Sequence, residues 1–600
     1  MPYTPSLRSI LATVAASCAL ANTACDPSNA GPRGPGGTLE GETPSGGSPT
    51  RDAGEGGTPR STAPPTWLDV PGERLPPLPR ASTAETAQFV TSDRCTPCHT
   101  ANDGPALRDA RGRDISPGGR WRASLMAQAA RDPFYLAAFA AELDARPRAT
   151  VAIERTCTRC HAPAASVATG HVRFDDLVKA DGFEATLARD GVNCSLCHQI
   201  EERGLGSPRS FTGGFTVGDQ RLLYGPHASP ETAPMQTFVN FTPTYSAHVT
   251  KSALCASCHT VITRALDANG TPVGPDFAEQ ATYLEWQNSA FRDEGELTEH
   301  STSCQGCHMP TVDEDGNALR SVLATRPPTL LPRSPLGRHE FAGGNAYVLE
   351  LFAADTAYFG TFVKAEDFAA QAALATQMLT KAAKVSVLRA ARVGGALEVV
   401  VRVDNTSGHR FPTGYPSRRA VIELRVFDAN ERLVFGSGRL DAHGRLVDAA
   451  GGVLESMDSP LPHRDVIERD DEVQVYESVP ADDSGGVAHS LLSATGYSKD
   501  NRLLPRGHSP THANALLAGP VGVGADPSFV AGSDEVTYRI ANAPLGPLRV
   551  ALRLLYQPVR PTEIEALAKR PSPAARRFFD MVAKKPPTAF VVASLEARVP

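Results

Sequence analysis

Over the last third of the chain, apolar and polar residues take turns. "ALEVVVRVDN" (396–405), "RAVIELRVFDANERLVFGSG" (419–438) and "DEVQVYESV" (471–479) each place every second side chain on one face. So do "EVTYRIANAPLGPLRVALRLLYQP" (535–558) and "AFVVASLEARV" (589–599). A period of two is the signature of half-buried strands, and "DANER" between two such runs reads as a hairpin turn. Residues 385–600 are therefore expected to form an all-β, sandwich-like domain. One stretch, "PTEIEALAKRPSPAARRFFDMVAKK" (561–585), breaks the alternation and is read as a helical insertion.

Residues 81–378 follow another pattern. Short runs with helical spacing, such as "GRWRASLMAQAARDPFYLAAFAAELDA" (119–145) and "DLVKADGFEATLARD" (176–190), are separated by long polar segments. This predicts a mainly α and irregular domain. Residues 26–80 are read as a disordered linker, because the Gly, Pro, Ser and Thr that dominate most of it cannot bury a core. Residues 1–25 carry Arg8 ahead of an apolar run from Ile10 to Ala21, too short for a stable membrane span and read as a secretory signal. The expected architecture is thus multidomain.

The cysteines identify the chemistry. Ten of the 12 fall into five copies of Cys-x-x-Cys-His: Cys95, Cys98 and His99; Cys157, Cys160 and His161; Cys194, Cys197 and His198; Cys255, Cys258 and His259; Cys304, Cys307 and His308. The two intervening residues differ every time, so the fixed register lies in the Cys, Cys and His alone. Two thiols at this spacing form thioethers with the vinyl groups of one porphyrin, and the next imidazole binds its iron. A zinc site would show ligands spaced for tetrahedral closure and would not demand a His after every second Cys. A redox-active thiol pair would be single and set in a βαβ pattern. The sequence therefore implies five c-type haems, each with its iron. Each motif is expected at a helix start or just before one.

The segments "WRASLMAQAARDP", "GVNCSLCHQI", "SALCASCHT", "ATYLEWQNSAF", "CQGCHMP" and "RHEFAGGNAYVLELF" resemble the multihaem c-type cytochromes related to the tetrahaem carrier of hydroxylamine oxidation. "NTSGHRFPTGYPSRRAVIELRVFD" and "YSKDNRLLPRG" resemble the β-domain that accompanies such haem domains in exported bacterial cytochromes. The resemblance implies electron transfer and places an iron ligand at His339.

A second histidine on an iron makes an electron carrier, whereas an open position admits substrate. Eleven histidines lie outside the motifs. Besides His339, whose following Gly pair allows close backbone approach to a porphyrin, the candidates are His227, His248, His171 and His409, with His300 behind them. Met126, Met235 and Met309 compete less well, and Met309 cannot turn back onto the iron that His308 already holds. Arg418 and Arg419 are candidate partners for haem propionates.

A formal charge of −7, made more negative by propionates, disfavours nucleic acid and favours basic or membrane-bound redox partners. Cys25 ends the apolar run behind small residues, as in bacterial lipoproteins, although Asn22 replaces the usual Leu. The expected protein is exported to the periplasm or cell surface and tethered to the membrane by a lipid on Cys25, with soluble export as the alternative. It carries electrons through mostly bis-histidine haems. The competing reading is an oxidoreductase acting on a small nitrogen or sulfur compound at one open haem, which the uniform motif histidines weaken.

Overall fold

The computed structural model describes residues 60–600, which form one compact unit. The signal and most of the linker, with Cys25, lie outside the described residues. No helix among the described residues is long and apolar enough to cross a membrane.

The N-terminal half is built from short helices joined by loops. Pro133–Ala145 is among its longest, started by Asp132, whose side chain accepts from the backbone N–H groups of Phe134 and Tyr135. Thr150–His161 and Pro163–Thr169 follow, and a hairpin of Val261–Leu266 (β1) and Pro272–Gln280 (β2) comes later. Ala346–Ala354 and Ala365–Leu379 pack against each other and close this half.

Twelve strands follow, ten of them in two sheets. Ala383–Val393 (β3), Ala396–Asn405 (β4), Ser533–Ile540 and Val466–Ile467 make one sheet, with Ala396–Asn405 paired to both Ala383–Val393 and Ser533–Ile540. The second sheet centres on Arg419–Phe427, paired along its whole length with Leu548–Gln557. Its other edge is shared by Leu433–Ser437 and Val475–Ala481, while Phe590–Val599 and Gly496–Asp500 form the outer strands. Leu397, Val399, Val401 and Val403 from the first sheet join Ile422, Leu424, Leu552 and Leu554 from the second in one fully buried apolar cluster. The hairpin read from "DANER" is present: Asp428 accepts from the N–H groups of Asn430 and Arg432, and Glu431 takes a left-handed backbone.

The insertion forms two helices, Pro561–Ala568 and Pro573–Lys584. Their apolar faces leave the β-cluster and join the core of the N-terminal half, where Phe578 lies 5.6 Å from Phe134. Phe134 also meets Tyr415 edge-on at 5.7 Å, so three remote segments converge there. Arg577 pairs with Asp355 at 2.8 Å, Lys585 with Glu350 at 2.9 Å, and Tyr347 donates to the Lys585 carbonyl at 2.6 Å. The two halves thus share a core even though their secondary structure changes abruptly near residue 380.

Candidate haem sites

Every Cys-x-x-Cys-His motif occupies a turn of helix: Thr96–His99, the end of Thr150–His161, Cys194–Cys197, the end of Ser252–His259, and Cys304–His308. Residues three apart on a helix share a face, so each cysteine pair projects together with its histidine alongside. Asn193 and Ser303 cap the third and fifth of these turns by accepting from Leu196 and Gly306. The fourth motif ends its helix and leads directly into β1, contrary to the expectation that each motif opens or precedes one. Val261 and Ile262, two β-branched residues right behind it, favour the extended chain.

Four motif histidines are held in the same way. Nδ1 of His99 donates to the Leu323 carbonyl at 2.8 Å, that of His161 to Ala129 at 2.8 Å, that of His198 to Tyr224 at 2.7 Å, and that of His308 to Ala342 at 2.7 Å. A carbonyl only accepts, so the proton sits on Nδ1 and the Nε2 lone pair is free. This is the arrangement that orients a metal-binding imidazole. Burial keeps these rings neutral, pushing His161 down to about 4 and lowering His99, His198 and His308 in the same direction. His259 is accessible to solvent, yet the surrounding protein pushes it down to about 4 as well. Both hold together when a ring opens onto an internal space, as a bound porphyrin requires.

His339 faces His198. Their ring centroids are 6.2 Å apart with planes 25° from parallel, and His339 donates from Nδ1 to the Gly337 carbonyl at 3.0 Å. Both Nε2 lone pairs are therefore available. Metal–imidazole bonds of about 2 Å put two rings on one metal with centroids roughly 6 Å apart, since each centroid lies about 1 Å behind its nitrogen. The pair matches that spacing. His409 also has a free Nε2, with Nδ1 on the Arg410 carbonyl at 2.9 Å, and it stands close enough to His308 for burial and that ring's charge to lower it.

His248, His171 and His300 are engaged elsewhere. His248 is 3% exposed, but its Nε2 donates to the Ile200 carbonyl at 2.8 Å and its Nδ1 meets the Ser246 hydroxyl at 2.7 Å. In this arrangement neither ring nitrogen offers a free lone pair. His171 holds the Glu154 carboxylate with Nε2 at 2.7 Å, and His300 takes an N–H of Arg506 on Nε2 at 2.8 Å. His227 lies near Arg333, and burial lowers it. Arg419 is buried among the strands, bonded to Gln557, Glu455 and the Gly444 carbonyl, so it cannot also hold a propionate. Arg418 points the other way, to the Thr413 carbonyl, near His259 and His409.

Tyr135, which the sequence gave no reason to single out, lies flat on the His161 imidazole, 3.6 Å between centroids and 2° between planes. Its hydroxyl is buried without a partner, as are Ser257 Oγ and Thr260 Oγ1 around His259 and Gln305 Oε1 within the fifth motif. A buried polar atom left unpaired costs about 1–3 kcal/mol.

The cysteines also bring the motifs together. Cys95 lies close to Cys194, Cys160 to Cys258, and Cys255 to Cys304. Cys197 is near enough to act on both Cys255 and Cys258. The first motif thus abuts the third, the third adjoins the fourth, and the fourth touches both the second and the fifth. The fifth is the most open, with Cys307 exposed.

Among the described residues one further group has metal-binding composition, His463 with Asp526 and Asp534. Its His463 Nδ1 accepts from the Gln474 and Asn501 amides, whose oxygens are fixed by accepting from Arg464 N–H and Glu477 N–H. The proton is therefore on Nε2, donated to Asp526 at 3.0 Å, and no lone pair faces the carboxylates. Burial raises Asp534 to about 7, so the cluster compensates its charge with a proton.

No protein-family model matches the chain, and no curated protein matches it. A solved structure described as a penta-heme cytochrome c552 from Thermochromatium tepidum is similar over 86% of this chain and 100% of that one, at 17% identity and a TM-score of 0.47. A likeness of that degree carries no argument about function.

Proposed function

We propose that this chain is an exported multihaem c-type cytochrome that carries electrons through five covalently attached haems, the β-rich C-terminal half forming a sandwich-like domain against the haem half. The observation that carries the reading is the combination of five Cys-x-x-Cys-His turns with motif imidazoles oriented through Nδ1 and the facing pair His198 and His339. In each site the two cysteines anchor the porphyrin and the motif histidine takes one face of the iron. When bound, c-type haem supplies one-electron iron chemistry. The chain's own residues orient the ligands, exclude water with the apolar core, and bring the motifs into contact.

His339 is assigned to the iron of His198, and His409 to that of His308. The adjacency of cysteines supports a path from the first motif through the third to the fourth, with branches to the second and fifth. The exposed fifth motif is the natural contact for a redox partner, and the acidic net charge suits a basic or membrane-bound one. Export follows from the chemistry of attachment, and a lipid on Cys25 would tether the protein. Conversion of Cys25→Ser tests the tether: the lipidated chain partitions into membranes and the variant does not.

The experiment for the main reading is haem counting on the purified chain, with five per 63.5 kDa expected. Purely low-spin irons that ignore nitrite, hydroxylamine and cyanide support the carrier. A high-spin fraction that responds to one of them refutes it in favour of the oxidoreductase.

A further inference from the structure

The second motif's imidazole is gripped twice by one short stretch of chain, residues 129–135. Nδ1 of His161 donates to the Ala129 carbonyl at 2.8 Å, which fixes the direction of the ring within its plane. Tyr135 lies flat on its face, 3.6 Å between centroids and 2° between planes, which fixes the plane itself. The stretch that does both is firmly held. Asp132 caps the helix that carries Tyr135, accepting from the N–H groups of Phe134 and Tyr135. Arg131, 3% exposed, donates to the carbonyls of Arg189, Pro79 and Phe359. One helical turn on, Phe139 packs against the Tyr135 ring at 5.6 Å, and Phe174 meets Phe139 edge-on at 5.2 Å. Among the described residues no other motif imidazole has a Tyr, Phe or Trp ring stacked on it.

The closeness of this stack points to its purpose. Two neutral aromatic rings avoid lying squarely face to face and settle with centroids about 4.5–7 Å apart. At 3.6 Å the phenol and the imidazole overlap with little offset. That arrangement is favourable when one ring is electron-poor, because an aromatic face attracts positive charge. An imidazole becomes electron-poor when Nε2 gives its lone pair to iron, and most of all when the iron is ferric. The Tyr135 hydroxyl, by contrast, is buried with no acceptor, so on oxidation its proton would have nowhere to go. Tyr135 therefore acts through its face and not as an electron relay.

We propose that Tyr135 is a positioning residue for the haem anchored at Cys157 and Cys160, locking the plane of the His161 imidazole and favouring the oxidised iron. The inference rests on the multihaem reading. A locked imidazole plane orients the d orbitals of the iron and so fixes the g anisotropy of its low-spin signal. A face that stabilises positive charge lowers the potential. The second haem is thereby set apart from the four whose motif imidazoles lack such a cover.

The test uses the full-length holoprotein with Tyr135→Leu, Tyr135→Phe and Tyr135→pentafluorophenylalanine. Haems are counted, potentials are titrated, and low-spin signals are read by EPR. In Tyr135→Leu one potential of five rises and one low-spin signal shifts or broadens. The signal that moves is the one missing from the chain in which Cys157 and Cys160 are both alanine. Tyr135→Phe keeps the aromatic face and restores the signal and most of the potential. Tyr135→pentafluorophenylalanine keeps the shape but reverses the charge of the face, so the plane stays locked while the potential rises. A merely structural ring would lower the unfolding temperature in Tyr135→Leu and leave g values and potentials in place. That result, with five haems bound, overturns the inference while leaving the multihaem reading intact; fewer than five in the parent protein overturn that reading. If Tyr135→Leu fails to bind the second haem, an unmoved potential in Tyr135→pentafluorophenylalanine overturns the inference.

Discussion

Replacing His339 with alanine removes one of two imidazoles that face each other across 6.2 Å. In the free fold its ring makes one hydrogen bond, to the Gly337 carbonyl, so the lost protein contact is worth only about 1 kcal/mol. The effect on the iron is far larger. With His198 alone the iron keeps a single strong ligand, and the space left by the ring admits water or an added ligand. One motif in five is affected, so one fifth of the low-spin EPR intensity should convert to high-spin signal, with helix and strand content unchanged by circular dichroism. His339→Met should restore low spin at a higher potential, since a thioether ligand favours the reduced iron. His248→Ala is the matched control: it deletes a more deeply buried ring whose nitrogens are both engaged by Ser246 and Ile200, and it should leave all irons low-spin. Five low-spin irons in His339→Ala, or a high-spin fraction in His248→Ala, would refute the assignment.

Changing Cys157 and Cys160 together to alanine should yield a chain with four haems instead of five by pyridine haemochrome, with the other sites retained. Phe578→Ala should cost about 3–5 kcal/mol in thermal or denaturant unfolding, because the ring is 0% exposed and joins the two halves. Asp534 has its folded value raised by burial from 3.8 to about 7, so the folded state holds a proton that the unfolded chain releases. The stability this proton provides is complete below pH 3.8 and is lost as pH rises towards about 7, by up to ~4 kcal/mol. Unfolding midpoints should therefore fall across that window, and Asp534→Asn should flatten the fall; an identical slope in the variant rejects it.

The alternating runs were legible because one face of a sheet is buried and the other is not. In Ala396–Asn405 the burial alternates residue by residue, with Leu397, Val399, Val401 and Val403 inside. Alternation fails in Arg419–Phe427, where Ala420 to Val426 are nearly all buried and even Glu423 is 2% exposed, because both faces are covered: Ile422 and Leu424 join the cluster between the sheets, while Val421 packs with Leu446, Val475 and Leu555 in a second one. Pattern also revealed the helices of 561–585 but not their destination. Their apolar face is the same whether it covers the strands or, as it does, Phe134 and the N-terminal helices. Which partner wins depends on contacts hundreds of residues away in the chain.

The same division of local from distant governs the proposed haem sites. Thioether anchors and the motif histidine are fixed within five residues, so composition and spacing suffice to find them. The opposing ligand is not local. His248 looks well placed by its nearness to Cys255, yet its ring is consumed by hydrogen bonds with Ser246 and Ile200, whereas His339 arrives opposite His198 through a long excursion of the chain. Arg418 and Arg419 are adjacent and chemically alike, but successive side chains at a strand leave on opposite faces. Arg419 is therefore spent on Glu455 among the strands, while Arg418 turns to the Thr413 carbonyl.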